Sequence, residues 1–242
     1  MARPRTSTIA KPARNFIVIL VTPARWPHAI AAQTLAEHPS DRQQSKAVEN
    51  QEKQPQLILA SGSPRRRMLL NQAGLKFSII ESRIPERRRP EENAREFATR
   101  MARAKALAVS RRVGDALVLG ADTIVECRDE ILGKPKNEAE AARMLKLLSE
   151  RTHTVVTAFA IARGGEILEA HAIQSRVTFR RLADHEIAAY IASGEPFDKA
   201  GGYGIQERGA EFIAGVEGAR DNVMGLPVRD VIDALHRQGF SC

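Results

Sequence analysis

The stretch Leu57-Ile58-Leu59-Ala60-Ser61-Gly62-Ser63-Pro64-Arg65-Arg66-Arg67 restricts the fold more than any other part of the chain. Its apolar start reads as a short buried strand. Ser61-Gly62-Ser63 breaks the run. Pro64 suits the first turn of a helix, where its missing N–H is no loss, and Ser63 suits the N-cap. Met68, Leu69, Leu70 and Ala73 continue a helical pattern that Gly74 ends. A strand therefore feeds a tight loop and a helix N-terminus, where unpaired N–H groups and the helix dipole favour an anion. Guanidinium groups at that terminus point to phosphate. The competing reading is a solvated arginine face.

Charge distribution argues against nucleic acid as the main partner. The net charge is +8, but residues 1–56 hold 8 Lys/Arg against 4 Asp/Glu, so 29 and 25 remain in the rest of the chain. Aromatics are only 5%, without the basic-aromatic interleaving of single-strand binders. A basic protein acting on small phosphorylated anions fits as well. The two cysteines, Cys127 and Cys242, have neither zinc spacing nor a disulfide framework, which favours a reducing, cytoplasmic setting. No apolar run approaches a membrane span. Residues 1–55 are basic, then Gln-rich, and read as a disordered extension or an over-long start; a targeting presequence is the alternative. Residues 56–242 form the expected folded domain.

Along that domain, Lys76–Glu81 reads as a second strand, followed by a charged loop with Glu86 and Arg87-Arg88-Arg89. A helix is predicted over about Pro90–Arg111, with Phe97, Met101, Ala104 and Leu107/Ala108 on its buried stripe and Lys105 one residue off it. Ala116–Gly120 is apolar and runs into Ala121-Asp122-Thr123. Asp122 there either forms a turn between strands or is held by hydrogen bonds, a cation or a metal. Loop Ile131–Pro135 presents Lys134. Asn137 caps a helix to Leu148. Gly164-Gly165 joins two strands, Thr154–Ala162 and Ile167–Phe179. His153 suits a hydrogen-bonding role at a strand end. Asp184 is placed as the cap of a helix ending at Gly194. A dense loop, Glu195–Gln206, a strand at Phe212–Ala214 and a helix opened by Gly225-Leu226-Pro227 complete an α/β pattern.

The loops combine cations (Arg65, Arg66, Lys105, Lys134, Lys199), carboxylates (Glu86, Asp122, Asp198) and neutral groups (Ser61, Thr123, Gln206). With no thiolate or histidine cluster, such a site suits phosphate with a hard divalent cation, Mg²⁺ or Mn²⁺.

Five segments carry a resemblance: Ser61–Arg66, Gly120–Thr123, Leu132–Pro135, Asp198–Gln206 and Val223–Pro227. Together they resemble the Maf family, septum-formation-inhibitor-like nucleoside triphosphate pyrophosphatases, over about residues 56–240. Gly202 stands where Ala is commoner, and Arg220-Asp221-Asn222 stands where Tyr-Ser is more usual. The resemblance implies a Maf/ITPase-like α/β fold: a curved mixed sheet with flanking helices, in two lobes around a central cleft. It implies hydrolysis of a nucleoside triphosphate to the monophosphate and pyrophosphate with a divalent metal, and suggests a homodimer. It puts the proton acceptor at Asp122 and substrate choice at Arg65, Thr123 and Gln206, all matching the dTTP/UTP branch.

Chemistry adds the remaining expectations. Water attack on the α-phosphorus needs water activation and cations for the developing charge. Asp122 is expected to orient or deprotonate the water and, with Glu86, to bind the metal. Ser61, Arg66, Lys105, Lys134 and Lys199 are expected to hold phosphate. Thr123 and Gln206 would read the pyrimidine edge. Competing functions are a house-cleaning pyrophosphatase for modified nucleotides or for CTP-like pyrimidines on the same fold, and a nucleic-acid-binding regulator using the basic N-terminus and Arg87–Arg89.

Overall fold

The computed structural model describes residues 55–241. The extension expected over 1–55 lies outside these residues apart from Pro55. The opening stretch folds as anticipated, with strand β1 (Leu57–Leu59) leading to helix α1 (Pro64–Gln72). Ser63 takes the N-cap position without a side-chain cap bond; its own N–H donates instead to Ser61 Oγ, 3.3 Å away.

Several boundaries differ from the sequence expectation. The second strand, β2, is only Ser78–Ile79. Helix α2 (Ala94–Ser110) starts later than Pro90 because Asn93 and Glu96 form a reciprocal capping box: Asn93 Oδ1 accepts from Glu96 N and the Glu96 carboxylate from Asn93 N. Asp122 is not in a turn. It lies mid-way along one unbroken strand, β3 (Leu117–Cys127), which pairs back with β4 (Glu130–Leu132) inside the anticipated lysine loop. Helix α3 (Glu138–Leu148) is capped by the Asn137 side chain, as its sequence suggested. The hairpin β5 (Thr152–Arg163) and β6 (Glu166–Phe179) follows. Helix α4 (Asp184–Ala192) begins after Ala183, whose N–H is held by Glu186; Asp184 sits in the first turn and does not cap. Strand β7 is Ile213–Glu217, later than expected. A short helix unforeseen in the sequence, α5 (Arg220–Met224), precedes α6 (Val228–Arg237), which starts after Pro227.

The seven strands form one mixed sheet in the order β2-β1-β3-β5-β6-β7, with β4 beside β3. Along one edge β3 pairs continuously with β5. The opposite edge is shared: β1 runs parallel to Leu117–Leu119, and β4 antiparallel to Val125–Cys127. Between them, at Gly120–Ile124, no strand pairs on that edge among the described residues. The sheet forks there and opens a cleft, as ligand sites in α/β sheets do where strand neighbours change.

Packing follows the fork. On one side of it, α2 packs on one sheet face through Ala98, Met101, Ala102 and Ala106, while α1 and α6 cover the other face through Leu69, Leu70, Val231 and Leu235. On the other side, α3 and α4 enclose Leu145, Leu148, Tyr190 and Phe212. This is the mixed sheet with flanking helices around a cleft that the resemblance implied.

Candidate active site

The cleft at the fork has a volume of about 370 Å³, within the range of small-molecule sites, and is lined from every one of the five motif segments. Gly120 sets its depth. A β-carbon at Gly120 would overlap the Ala102 carbonyl oxygen and lie 2.6 Å from Ala106 N. Only hydrogen fits there, so α2 approaches β3 at backbone contact. That approach corrects the expected stripe on α2. Ala98, Ala102, Lys105 and Ala106 are buried, whereas Ala104, Leu107 and Ala108 are half-buried. Lys105 is therefore on the buried face, not beside it.

Lys105 Nζ donates to Glu86 Oε1 at 2.5 Å and to Asp122 Oδ1 at 2.6 Å. Burial raises the Asp122 pKa above its ordinary value, although Lys105 and Arg66 oppose the shift. Burial also pushes Glu86 up, but Lys105, with Lys134 and Arg66 behind it, outweighs that and holds Glu86 below its usual value. Asp122 is thus a stronger base than a solvated aspartate, while Glu86 stays ionised. Glu86 and Asp122 converge only through Lys105. Among the described residues no three His, Cys, Asp or Glu side chains gather to hold a metal.

Side-chain alternation sends Asp122 and Thr123 to opposite faces of β3. On the Thr123 face lies Arg66, buried and with its pKa lowered by desolvation. Its Nε donates to Gly225 O at 2.8 Å, Nη1 to Ser61 Oγ at 3.1 Å and Nη2 to Thr123 Oγ1 at 3.0 Å. Gly225 turns its carbonyl toward Arg66 from a backbone φ of 120°, a conformation that favours glycine. Arg66 thus ties together three of the motif segments.

A third group closes the rim. Arg65 Nη1 bonds Asp198 Oδ2, and Lys199 Nζ bonds Asp198 Oδ1 at 2.7 Å and Glu195 O at 2.8 Å. Burial would raise the Asp198 pKa, but Lys199 and Arg65 together hold it below the usual value. Lys134 and Gln206 are exposed at the cleft edge. All ten predicted site residues line this one cleft. Of the five cations, Lys105, Lys199 and Arg65 are already paired with carboxylates. Arg66 and Lys134 have no carboxylate at ion-pair distance among the described residues. Arg67, at the same helix terminus, is exposed and does not line the cleft.

Two further residues support the cleft, one of them, Asn222, within the Arg220-Asp221-Asn222 departure from the family pattern. Thr157 and Asn222 are completely buried behind Thr123. Asn222 directly precedes the Val-Met-Gly-Leu-Pro segment, a signal by position. Thr157 carries none until the β3–β5 register pairs it with Thr123.

Known proteins resemble the chain over most of its described length. The family model described as Maf-like protein matches residues 56–238. The dTTP/UTP pyrophosphatase of Geotalea uraniireducens is 48% identical over 76% of this chain and 95% of its own length. That of Moorella thermoacetica is 53% identical over 74% of this chain and 93% of its own. The Escherichia coli O157:H7 protein of the same name is 48% identical over 74% and 91%. A HAM1 protein from Coxiella burnetii superposes with a TM-score of 0.43 at 13% identity, over 76% of this chain and 99% of that one. With its five motif segments gathered at one fork of the sheet and a family model spanning nearly all the described residues, the chain belongs to the Maf family.

Proposed function

We propose that this protein hydrolyses dTTP and UTP to the nucleoside monophosphate and pyrophosphate. One observation carries the reading: a buried carboxylate, Asp122, lies in the same cleft as Arg66 and Lys134, cations without carboxylate partners at ion-pair distance among the described residues, and the neutral pair Thr123 and Gln206. The relatives above, all named dTTP/UTP pyrophosphatases, supply the substrate class.

In this reading Asp122 Oδ1 is held by Lys105, leaving Oδ2 to accept a proton from the attacking water. Burial strengthens it for that task. The water oxygen bonds the α-phosphorus, and the bond to the bridging oxygen breaks. Negative charge then grows on the departing pyrophosphate. Arg66, Lys134 and Lys199, with the Ser61 hydroxyl beside Arg66, receive it. Arg65, Thr123 and Gln206 face the nucleoside.

The donor set fits a divalent cation of the Mg²⁺ or Mn²⁺ type. Glu86 and Asp122 offer oxygen only, and Mg²⁺ commonly uses one or two carboxylates and takes its other ligands from phosphate and water. Such a cation would supply phosphate-charge neutralisation and water activation. The proposal extends to a homodimer in the cytoplasm, with sedimentation at micromolar concentration as the check on assembly. Among the described residues no helix is long and apolar enough to cross a membrane.

The test is UTP turnover with pyrophosphate detection in parent and Asp122→Asn. The parent should release pyrophosphate, and the variant should lose roughly 10²–10⁴-fold in rate while keeping its fold. Orthophosphate as the first product, or a variant at the parent rate, would refute the reading.

A further inference from the structure

Behind Thr123 the hydrogen bonds form a chain whose direction can be read atom by atom. Thr157 Oγ1 lies 2.8 Å from the Asn222 carbonyl oxygen, which can only accept, so the single Thr157 hydroxyl hydrogen is committed there. Thr123 Oγ1 and Thr157 Oγ1 are 3.0 Å apart. With the Thr157 hydrogen already used, Thr123 must be the donor in that contact. Arg66 Nη2, which can only donate, sits 3.0 Å from Thr123 Oγ1 and takes one of its lone pairs. Thr123 has therefore committed its hydrogen and one acceptor site to the protein. What it still offers to the cleft is a single acceptor.

The far end of the chain is fixed. Asn222 is fully buried; its N–H donates to Asp221 Oδ1 at 2.8 Å and its Nδ2 to Ser175 Oγ at 3.0 Å. The Asn222 backbone carbonyl cannot turn away, and at 2.8 Å it lies closer to the Thr157 hydroxyl than the other acceptor in reach, Thr123 Oγ1 at 3.0 Å, so it takes the hydrogen. Thr157 does not line the cleft, so it acts only through Thr123.

We propose that Thr157, aimed by the Asn222 carbonyl, is a positioning residue that makes Thr123 an obligate acceptor and thereby selects bases carrying an N–H opposite it. On the Watson–Crick edge of uracil or thymine the one donor is N3–H, flanked by two carbonyls. Cytosine presents a lone pair at N3, which would face the Thr123 lone pair. A site built around a fixed hydrogen-bonding direction rejects the wrong partner strongly, because the buried group is otherwise left unpaired. The inference deepens the dTTP/UTP reading and rests on it.

The experiment measures kcat and KM for UTP, CTP and N3-methyl-UTP in the parent, Thr157→Val and Thr157→Ser, with folding followed by circular dichroism. The parent should discriminate against both CTP and N3-methyl-UTP by about 100-fold or more in kcat/KM. Thr157→Val releases the Thr123 hydrogen to rotate toward the cleft, so the UTP/CTP ratio should fall about tenfold, chiefly through KM. Thr157→Ser keeps the hydroxyl and should keep the ratio. An unchanged ratio in Thr157→Val, or equal shifts in both variants, would overturn the proposal. Should Thr157→Val fail to fold, the parent's turnover of N3-methyl-UTP decides: hydrolysis at the UTP rate refutes the fixed acceptor, and rejection supports it. A parent that turns over no pyrimidine triphosphate defeats the underlying reading instead, a distinct result.

Discussion

Arg65 grips Asp198 twice across the mouth of the cleft, with Nη1 2.9 Å from the carboxylate and Nη2 3.3 Å from the backbone oxygen. The same carboxylate holds Lys199. Asp198 therefore orients a cation from α1 and another from the loop before Tyr203, although it is itself a surface residue. The Asp198 side chain is 60% exposed, and water screens both pairs although Lys199 itself is buried, so they add of the order of 1 kcal/mol of stability or less. Asp198→Asn should leave the melting temperature within about 4 °C of the parent. Both cations lose the charged part of their anchor while keeping backbone oxygens, Asp198 O for Arg65 and Glu195 O for Lys199, and kcat/KM for UTP should fall about tenfold, equivalent to roughly 1.4 kcal/mol. Steady-state kinetics beside a thermal melt would check both halves.

Lys105 differs because it is buried between Glu86 and Asp122. Removing one member of a buried pair leaves the other uncompensated, at a cost of about 3–5 kcal/mol. Protonation of Asp122, whose pKa is already raised, would soften that cost. Lys105→Met should lower the denaturant midpoint by an amount corresponding to about 2–3 kcal/mol and reduce turnover more than 100-fold. Loss of activity without loss of stability would contradict the buried-pair geometry.

Gly120 offers a test of how the site is held open. Alanine there meets the α2 backbone, not a yielding side-chain tip. Overpacking of this kind costs about 1–3 kcal/mol. Gly120→Ala should destabilise by at least that lower bound and move Lys105 off Asp122, so kcat should drop although no polar group was altered. A crystal structure of the variant would show the lengthened Lys105–Asp122 distance.

His153 sets an acid limit on stability. Its Nε2 lies 2.7 Å from the Tyr203 hydroxyl, its Nδ1 has no hydrogen-bond partner among the described residues, and burial lowers its pKa from 6.5 to about 4. Below pH 6.5 the unfolded chain takes up this proton and the folded chain does not, so stability is full above that pH and falls as pH drops toward 4. The loss over that window is about 3 kcal/mol, at 1.36 kcal/mol per pH unit. Urea titrations at pH 7 and pH 4.5 should show a smaller pH-dependent loss in His153→Gln than in the parent. Equal losses would sink the assignment.

How far these features could be read from the residues depends on their range. The strand, turn and helix start at Ser61–Arg66 and the Asn137 cap were legible because their determinants are neighbours in the chain. So were the cleft residues that fall inside recognisable motifs, Asp122 and Gln206 among them. Lys105 falls off the expected stripe because that stripe runs from Phe97 and Met101, which are buried, on to Ala104 and Leu107/Ala108, which are not; the real face continues through Ala98, Ala102 and Ala106, small residues that let α2 meet Gly120. Asp122 looked capable of making a turn because a strand carboxylate is costly, and its compensating Lys105 is visible only in three dimensions. Thr157 was silent, and Asn222 stood out only as a departure from the family pattern, for a related reason: their importance is the direction of a hydrogen bond set by strand register. The regulator alternative gained nothing from Arg88, whose guanidinium is bound to the Glu92 carbonyl, and its basic N-terminus lies outside the described residues.

The forked edge of β3 also bears on how the protein is made. Its upper arm is a parallel partner, β1, drawn from a distant part of the chain, and its other edge waits for β5. Pairings of high sequence separation form late, after the cost of closing long loops has been met. Helices α2 and α3 carry their own caps and can appear early. Catalytic competence should therefore be among the last properties to return on refolding. Recovery of UTP turnover should trail recovery of the helical signal, and the lag times the final closure of the sheet.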